Sequence, residues 1–440
     1  MKKNYTVIPA FLFLIIAFTA CKKTNPGPTG GNTNNYGDPL IAESSGWKRV
    51  GSVANSNKYT DQLAVNQMTG YDLTVTGSKI QVLYSEDKFE GGDKFSFYHK
   101  ASLIEGSSTS PVVAEIVNFP AFNIKPTLFS YRPVFRPGTF NMETMRFSHN
   151  AIDPFNKIEL LDEATNSITN QHPFFDASLS AKMLPNGDIL AGDINYNALC
   201  ELDYYNRATN TWKYINQSAG DSQWHIAYTP FLLDDGQLLA FRLYSKTGKA
   251  FLSVADFVYT AAFPAAPYAD RFDEEHPEYA PTGYDGVKPQ YAGSTIVAGY
   301  ITAGNSVTVV LRYQDNVNKA YSISAYKWTE GATSLQKLYS AVPISTGLGD
   351  MLTKRDQTGC NADGSIYALL NVNQTYQLTI AGAGGEKSYG AFSTNTPNQR
   401  YAVTLNCLRN INGVYYAVAT PTYGGNDYLG QHLDVVKLVL

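Results

Sequence analysis

Short runs of alternating apolar and polar residues, broken by glycine-bearing turns, fill the chain from about residue 46 onward. The pattern is clearest in Lys182–Ala191, which reads Lys-Met-Leu-Pro-Asn-Gly-Asp-Ile-Leu-Ala. It returns at Phe231–Ala240, Asn361–Leu370 and Leu408–Val418. Asn-Gly or Asp-Gly between two alternating runs predicts a tight antiparallel hairpin, because both turn residues tolerate positive φ. The turn glycines recur evenly: Gly187 to Gly236 is 49 residues, and Gly364 to Gly413 is again 49. Weaker copies around Gly77, Gly138 and Gly293 bring the set to seven, with spacings of 61, 49, 49, 57, 71 and 49. Within the clearest copy the pattern predicts four strands, at Ser178–Leu184, Asp188–Asp193, Ala198–Tyr205 and Thr211–Asn216. No window carries a 3.6-residue apolar period long enough for a substantial helix.

Four short strands repeating at about fifty residues describe a propeller blade, since such a unit cannot bury both faces without neighbours. The expectation is an all-β fold, a seven-bladed β-propeller over residues 46–440. The last copy runs out after about three strands, at Asp434–Leu440, while Trp47–Val53 precedes the first copy as an isolated strand. Pairing that N-terminal strand with the last blade closes the ring and removes two exposed sheet edges. The arrangement resembles kelch and WD-type propellers in architecture only. The kelch double glycine, the Trp-Asp dipeptide and the sialidase Asp-box are absent. Six or eight blades, or two β-sandwiches, are the alternatives.

The first 45 residues differ in character. Lys2 and Lys3 precede the apolar run Val7–Phe18, and Phe18-Thr19-Ala20 leads into Cys21. An apolar run of this length falls short of the roughly 20 helical residues needed to span a bilayer. Residues 1–20 therefore read as a signal peptide. The segment resembles the bacterial lipobox, with Phe18 where Leu is commoner, and that resemblance implies lipidation of Cys21. Lys22 to Asn35 is polar and rich in Gly, Asn and Thr, so residues 21–45 read as a lipidated cysteine and a flexible tether. Leader, Cys-Lys-Lys and linker together resemble Bacteroidota membrane lipoproteins. The expected location is the bacterial cell envelope, lipid-anchored, at the outer membrane, with the membrane itself as one partner.

Composition narrows the remaining choices. Charged residues are only 16 % of the chain, while Tyr (31) and Phe (22) are abundant, which suits an all-β extracytoplasmic domain. A net charge of −4 and the lack of a basic run beyond Lys22-Lys23 argue against nucleic acid as a partner. Cys200, Cys360 and Cys407 fit no metal spacing and read as buried small hydrophobes, with a Cys360–Cys407 disulfide as the alternative.

Candidate chemistry lies in the loops that lead into the inner strand of each blade, because loops carry side chains the core need not bury. The ligand-binding candidates there are Arg132, His172, Asp176, Trp224, His225, Tyr284, Asp285, Arg355, Asp356 and Arg400. Trp224-His225 could stack on a sugar ring. Asp176, Asp285, Asp350 and Asp356 are the carboxylates from which a glycosidase pair could be drawn. The histidines show no metal-binding spacing, and no Gly-x-Ser-x-Gly occurs. Asp270–Glu278 is the densest acidic run and has the oxygen ligands calcium takes, but it lacks the Asp-x-Asp-x-Asp-Gly spacing and reads as a solvated loop in a long insertion. No cofactor or metal site is expected. The reading is a non-catalytic binding module whose loop face takes a glycan, a peptide or an envelope protein. A glycoside hydrolase or lyase using loop carboxylates is second, and a structural scaffold third.

Overall fold

Residues 48–54, Lys-Arg-Val-Gly-Ser-Val-Ala, form β1 (Lys48–Ala54), and this strand pairs with the far end of the chain rather than with its neighbour in sequence. The computed structural model describes residues 39–55, 67–90, 93–107, 110–115, 122–124, 129–135, 142–148, 156–162, 167–168, 172–174, 182–183, 186–194, 200–209, 211–217, 224–232, 238–246, 249–257, 269–275, 295–302, 306–314, 319–332, 334–352, 357–394, 401–423 and 432–440. Among these the strands form seven antiparallel sheets of four or five strands.

The first sheet comprises β2 (Gln67–Thr76), β3 (Lys79–Glu90), β4 (Asp93–Ile104) and β5 (Val112–Glu115), with β6 (Phe122–Ile124) also pairing with β4. The second holds β7 (Phe129–Phe135), β8 (Met142–Ser148), β9 (Asn156–Asp162), β10 (Ser167–Ile168) and β11 (His172–Phe174). The third has β12 (Lys182–Met183), β13 (Ile189–Ile194), β14 (Cys200–Asn206) and β15 (Thr211–Gln217). The fourth has β16 (Trp224–Leu232), β17 (Leu238–Lys246), β18 (Lys249–Phe257) and β19 (Ala269–Glu275). The fifth has β20 (Thr295–Thr302), β21 (Ser306–Gln314), β22 (Tyr321–Thr329) and β23 (Gln336–Ile344). After the short helix α1 (Thr346–Met351), the sixth has β24 (Thr358–Cys360), β25 (Ile366–Val372), β26 (Thr375–Gly382) and β27 (Gly385–Ser393). The seventh joins β28 (Tyr401–Ile411), β29 (Val414–Tyr423) and β30 (His432–Val439) to β1.

The fold is an all-β propeller closed by its N-terminal strand. β1 runs antiparallel to β30, with Ser52 opposite Asp434 and Val53 opposite Leu433. First strands of adjacent sheets lie against one another, β24 beside β28, β28 beside β2 and β2 beside β7. Among the described residues, the sixth and seventh sheets bury both faces against their neighbours. Between the first and seventh sheets lie Met68, Ile80, Val82, Tyr84, Val418, Leu433 and Val435. Between the seventh and sixth lie Trp47, Leu369, Leu378, Leu405, Ala417 and Leu438. This is why the strands read as alternating yet strongly apolar.

The turns follow the glycine rule where positive φ is needed. Gly364 and Gly413 sit at φ +81° and +85° in the first hairpins of the sixth and seventh sheets. Several expectations need correction. The first hairpin of the fifth sheet closes between Thr302 and Ser306, so Gly304 occupies the turn and Gly293 does not. The acidic run is not a loop over its first part, because Ala269–Glu275 is the outer strand β19. Cys360 and Cys407 are both buried, as the sequence suggested, and only the alternative of a disulfide between them falls. Cys360 packs between the fifth and sixth sheets, and Cys407 between the seventh and first, so a whole interface separates them. Packing also begins earlier than residue 46: Leu40 and Ile41, within the stretch read as a tether, are buried beside Trp47.

One buried carboxylate holds that N-terminal segment. Asp434 accepts hydrogen bonds from the Leu40 amide at 2.9 Å and the Ser52 hydroxyl at 2.6 Å, with His432 Nε2 at 3.5 Å. The Trp47 indole N–H donates to the Gly390 carbonyl of β27 at 2.9 Å, fastening the segment to the sixth sheet as well.

Candidate functional site on the upper face

Antiparallel order gives the ring two unlike faces. Connections between first and second strands, and between third and fourth, lie at one end. Connections between second and third strands, and from sheet to sheet, lie at the other, here called the upper face. The three longest connections all belong to the upper face: 276–294, 345–357 and 55–66, of 19, 13 and 12 residues. The first-to-second turns at the opposite end are short, down to Gly77-Ser78 and Asn412-Gly413. Loop length therefore concentrates where side chains are free of the sheet packing.

The best-described part of this face surrounds α1, in the connection into β24. Ser345 caps the helix, its hydroxyl accepting from the Leu348 amide at 3.3 Å. Glu386 in turn takes the Ser345 amide at 2.7 Å and its hydroxyl at 2.8 Å, so β27 fixes the start of the helix. At the other end Arg312, from the end of β21, donates to the Gly349 carbonyl at 2.7 Å. The same guanidinium lies 5.2 Å from the centre of the Tyr321 ring. The Tyr321 hydroxyl donates to Asp350 at 2.7 Å. That hydrogen bond is the main reason the Tyr321 hydroxyl is held above its ordinary value. Burial is what pulls Arg312 below its own. The result is a fixed cationic and phenolic bracket with an exposed carboxylate, Asp350, at its rim. Next to it, towards the middle of the ring, Gln357 reaches Asn406 of the next first strand at 3.5 Å, and Thr404 pairs with Thr420 at 2.7 Å.

The sequence-derived candidates distribute unevenly around this bracket. Arg132 lies in β7 opposite Met145, His172 in β11 opposite Ile158, and Trp224 and His225 open β16 opposite Ser245 and Tyr244. These four were expected on loops, and their backbones are in strands instead. The β16 pair starts its strand at the upper face, beside a bulge between His225 and Ala227. Asp176, Tyr284, Asp285, Arg355, Asp356 and Arg400 lie outside the described residues, as does Cys21. Asp350 is placed, on α1. Arg312, Tyr321 and Glu386 were missed. Their role comes from pairing across sheets, although Arg312-Tyr313 beside the strand end was a local hint of a polar site.

The buried carboxylates have structural partners. Asp87 accepts from the hydroxyls of Thr69, Ser85 and Ser96 at 2.8, 2.7 and 2.7 Å. Asp72 binds Arg409 at 2.6 Å, its neighbour's amide at 2.8 Å and the Phe135 amide at 2.9 Å, tying the seventh, first and second sheets together. Asp188 takes the Tyr204 hydroxyl, the Asn186 side chain and the Arg207 amide. Glu86 faces His99 at 3.8 Å. With Asp434, these are the buried acidic groups among the described residues. Each is occupied in holding sheets or turns. Among the described residues no group of three or more His, Cys, Asp or Glu converges as a metal site, and no helix is long and apolar enough to cross a membrane.

No protein family and no curated protein matches this chain. Solved structures do. The polysaccharide lyase Uly1 aligns over 84 % of this chain and 90 % of its own, at 9 % identity and a TM-score of 0.44. The β-propeller domain of the trilobed protease from Pyrococcus furiosus aligns over 84 % and 98 %, at 10 % identity and a TM-score of 0.38. The Nup133 β-propeller domain from Vanderwaltozyma polyspora aligns over 83 % and 99 %, at 10 % identity and a TM-score of 0.34. The likeness is one of fold alone.

Proposed function

We propose that this chain is a lipid-anchored propeller that binds a ligand on its upper face without transforming it. The observation that carries the reading is the concentration of the longest connections on that face, around a bracket fixed by Arg312, Tyr321 and Glu386. It is supported by four of the buried carboxylates among the described residues, Asp72, Asp87, Asp188 and Asp434, which are engaged in hydrogen bonds within the fold. The ligand class is a glycan, a peptide or an envelope protein. Trp224 and His225 at the start of β16 would supply stacking groups, and Arg355, Asp356 and Arg400, which precede the sixth and seventh sheets in sequence, ion-pairing groups. Cys21, freed by removal of residues 1–20, carries the lipid, and the cell envelope is the location.

The test is a glycan array and an envelope pull-down with the full chain, followed by Trp224→Ala and Arg355→Ala. Binding should weaken about tenfold in either variant, a loss of ~1.4 kcal/mol, and recovered ligand should be chemically unchanged. Shortened or unsaturated sugar products would overturn the non-catalytic reading. Full binding by both variants would overturn the assignment of the face. For the anchor, Cys21→Ser should move the protein from the membrane fraction to the soluble one.

A further inference from the structure

Two Asn-Gly pairs occur in the chain, Asn186-Gly187 and Asn412-Gly413, and both turn the first hairpin of their sheet. Their surroundings differ. The Asn186 amide is held at both ends: its Nδ2 donates to Asp188 at 2.6 Å and its Oδ1 accepts the Asp188 amide at 3.1 Å. Asn412 is exposed at φ +52°, and among the described residues no hydrogen bond holds its side chain. Gly413 is exposed too, with no atom within 4 Å of where a Cβ would stand, so nothing blocks movement of the turn. The Gly413 N–H donates to Asn410 Oδ1 at 2.9 Å, and Asn410 is itself steadied by donating to Asn361 at 2.6 Å.

From this contrast we propose that Asn412 is a modification site, deamidating spontaneously while Asn186 is protected. The Gly413 nitrogen gives up its proton to hydroxide in solvent, a step its hydrogen bond to Asn410 restrains, and forms a bond to Cγ of Asn412. Nδ2 of Asn412 takes up a proton from solvent, the Cγ–Nδ2 bond breaks and ammonia leaves, giving a five-membered succinimide. Water then adds to one of the two imide carbonyls and opens the ring to aspartate or isoaspartate, with no change of oxidation state. Either product places a carboxylate on the turn. Isoaspartate also lengthens the backbone by one methylene in a two-residue turn whose flanks, Ile411 and Val414, are paired. The modification therefore acts on the β28–β29 hairpin of the seventh sheet.

The experiment ages the full-length protein at mildly alkaline pH and follows both sites by peptide mapping with isoaspartate-resolving mass spectrometry. In the folded protein Asn412 should convert about tenfold faster than Asn186, a barrier difference of ~1.4 kcal/mol, and in denaturant the two should converge. Gly413→Ala should slow Asn412 by a similar factor. Asn410→Ala, which frees the Gly413 N–H, should speed it, with Asn186 in the same molecule reporting that the fold is intact. Equal rates at the two sites in the folded state would overturn the proposal. So would an Asn412 that stays amidated over the time in which the denatured protein converts it. An unchanged Asn412 rate in Asn410→Ala would overturn the part assigned to that acceptor.

Discussion

Replacing Trp47 by Ala tests whether the N-terminal segment is part of the ring or merely lies on it. The indole is 1 % exposed and packs among Leu369, Leu405 and Leu438, so truncation removes a large buried ring from between two sheets. Such losses in a core cost about 3–5 kcal/mol. The bond to the Gly390 carbonyl contributes ~1 kcal/mol within that figure. Trp47→Phe keeps most of the apolar contact and loses the donor, so it should cost about 1–2 kcal/mol. Against a total stability on the order of 10 kcal/mol, the Ala variant is strongly weakened but folded. Urea titration followed by circular dichroism gives the free energies, and the m-value shows whether unfolding stays cooperative. Hydrogen exchange at the β1 amides should quicken in Trp47→Ala well beyond that at β25. A cost below ~1 kcal/mol together with unchanged β1 protection would refute the reasoning, because closure would then not depend on the plug.

Three further outcomes follow from the same seam and core. Gly390 stands at φ +59°, where a Cβ would lie 2.6 Å from the Trp47 indole nitrogen, so Gly390→Ala should destabilise by about 2 kcal/mol or more, read by thermal melting. Asp434 is held above the ordinary carboxylate range chiefly by burial, against the opposing pull of His432 and the bonds from Ser52 and Leu40. Its proton therefore stabilises the fold, a contribution complete below the unfolded value and lost as pH rises through the folded one. Asp434→Asn, which can accept from Leu40 and donate to Ser52, should flatten stability against pH across that weakly acidic window and cost little at neutral pH. A loss above ~3 kcal/mol with an unchanged slope would count against it. The Cys360 thiol, pushed up to about 12 by burial and by Asp363, should resist alkylation at neutral pH until the protein is unfolded.

The propeller was legible because its signals are local. Gly77, Gly187, Gly364 and Gly413 all turn hairpins at positive φ, and a two-residue connection leaves the chain few other conformations. The isolated strand near Trp47 was legible for a different reason: the last sheet was one strand short. Where two glycines competed, as Gly293 and Gly304 did, alternation alone could not choose between registers, since either leaves apolar residues on both faces of a sheet buried on both sides. The start of β16 was hidden as well, because Trp224-His225 reads as a loop by composition but pairs with β17.

The polar framework shows where one-dimensional reading ends. Asp72 meets Arg409 across 337 residues, and Ser52 meets Asp434 across 382, so no spacing or motif announces either pair. Yet both serve closure, Ser52–Asp434 within the seventh sheet and Asp72–Arg409 between that sheet and the first. Apolar packing alone would let neighbouring sheets slide by a residue pair with little penalty. A buried carboxylate with two or three directed partners does not permit that, because a slip would leave it desolvated and unpaired. Closure thus divides its labour: glycine turns set the repeat, apolar faces set the stacking, and a few long-range carboxylates fix the register at the seam. On the upper face α1 takes part in the second of these tasks, since Leu348 and Leu352 are buried in the core between the fifth and sixth sheets.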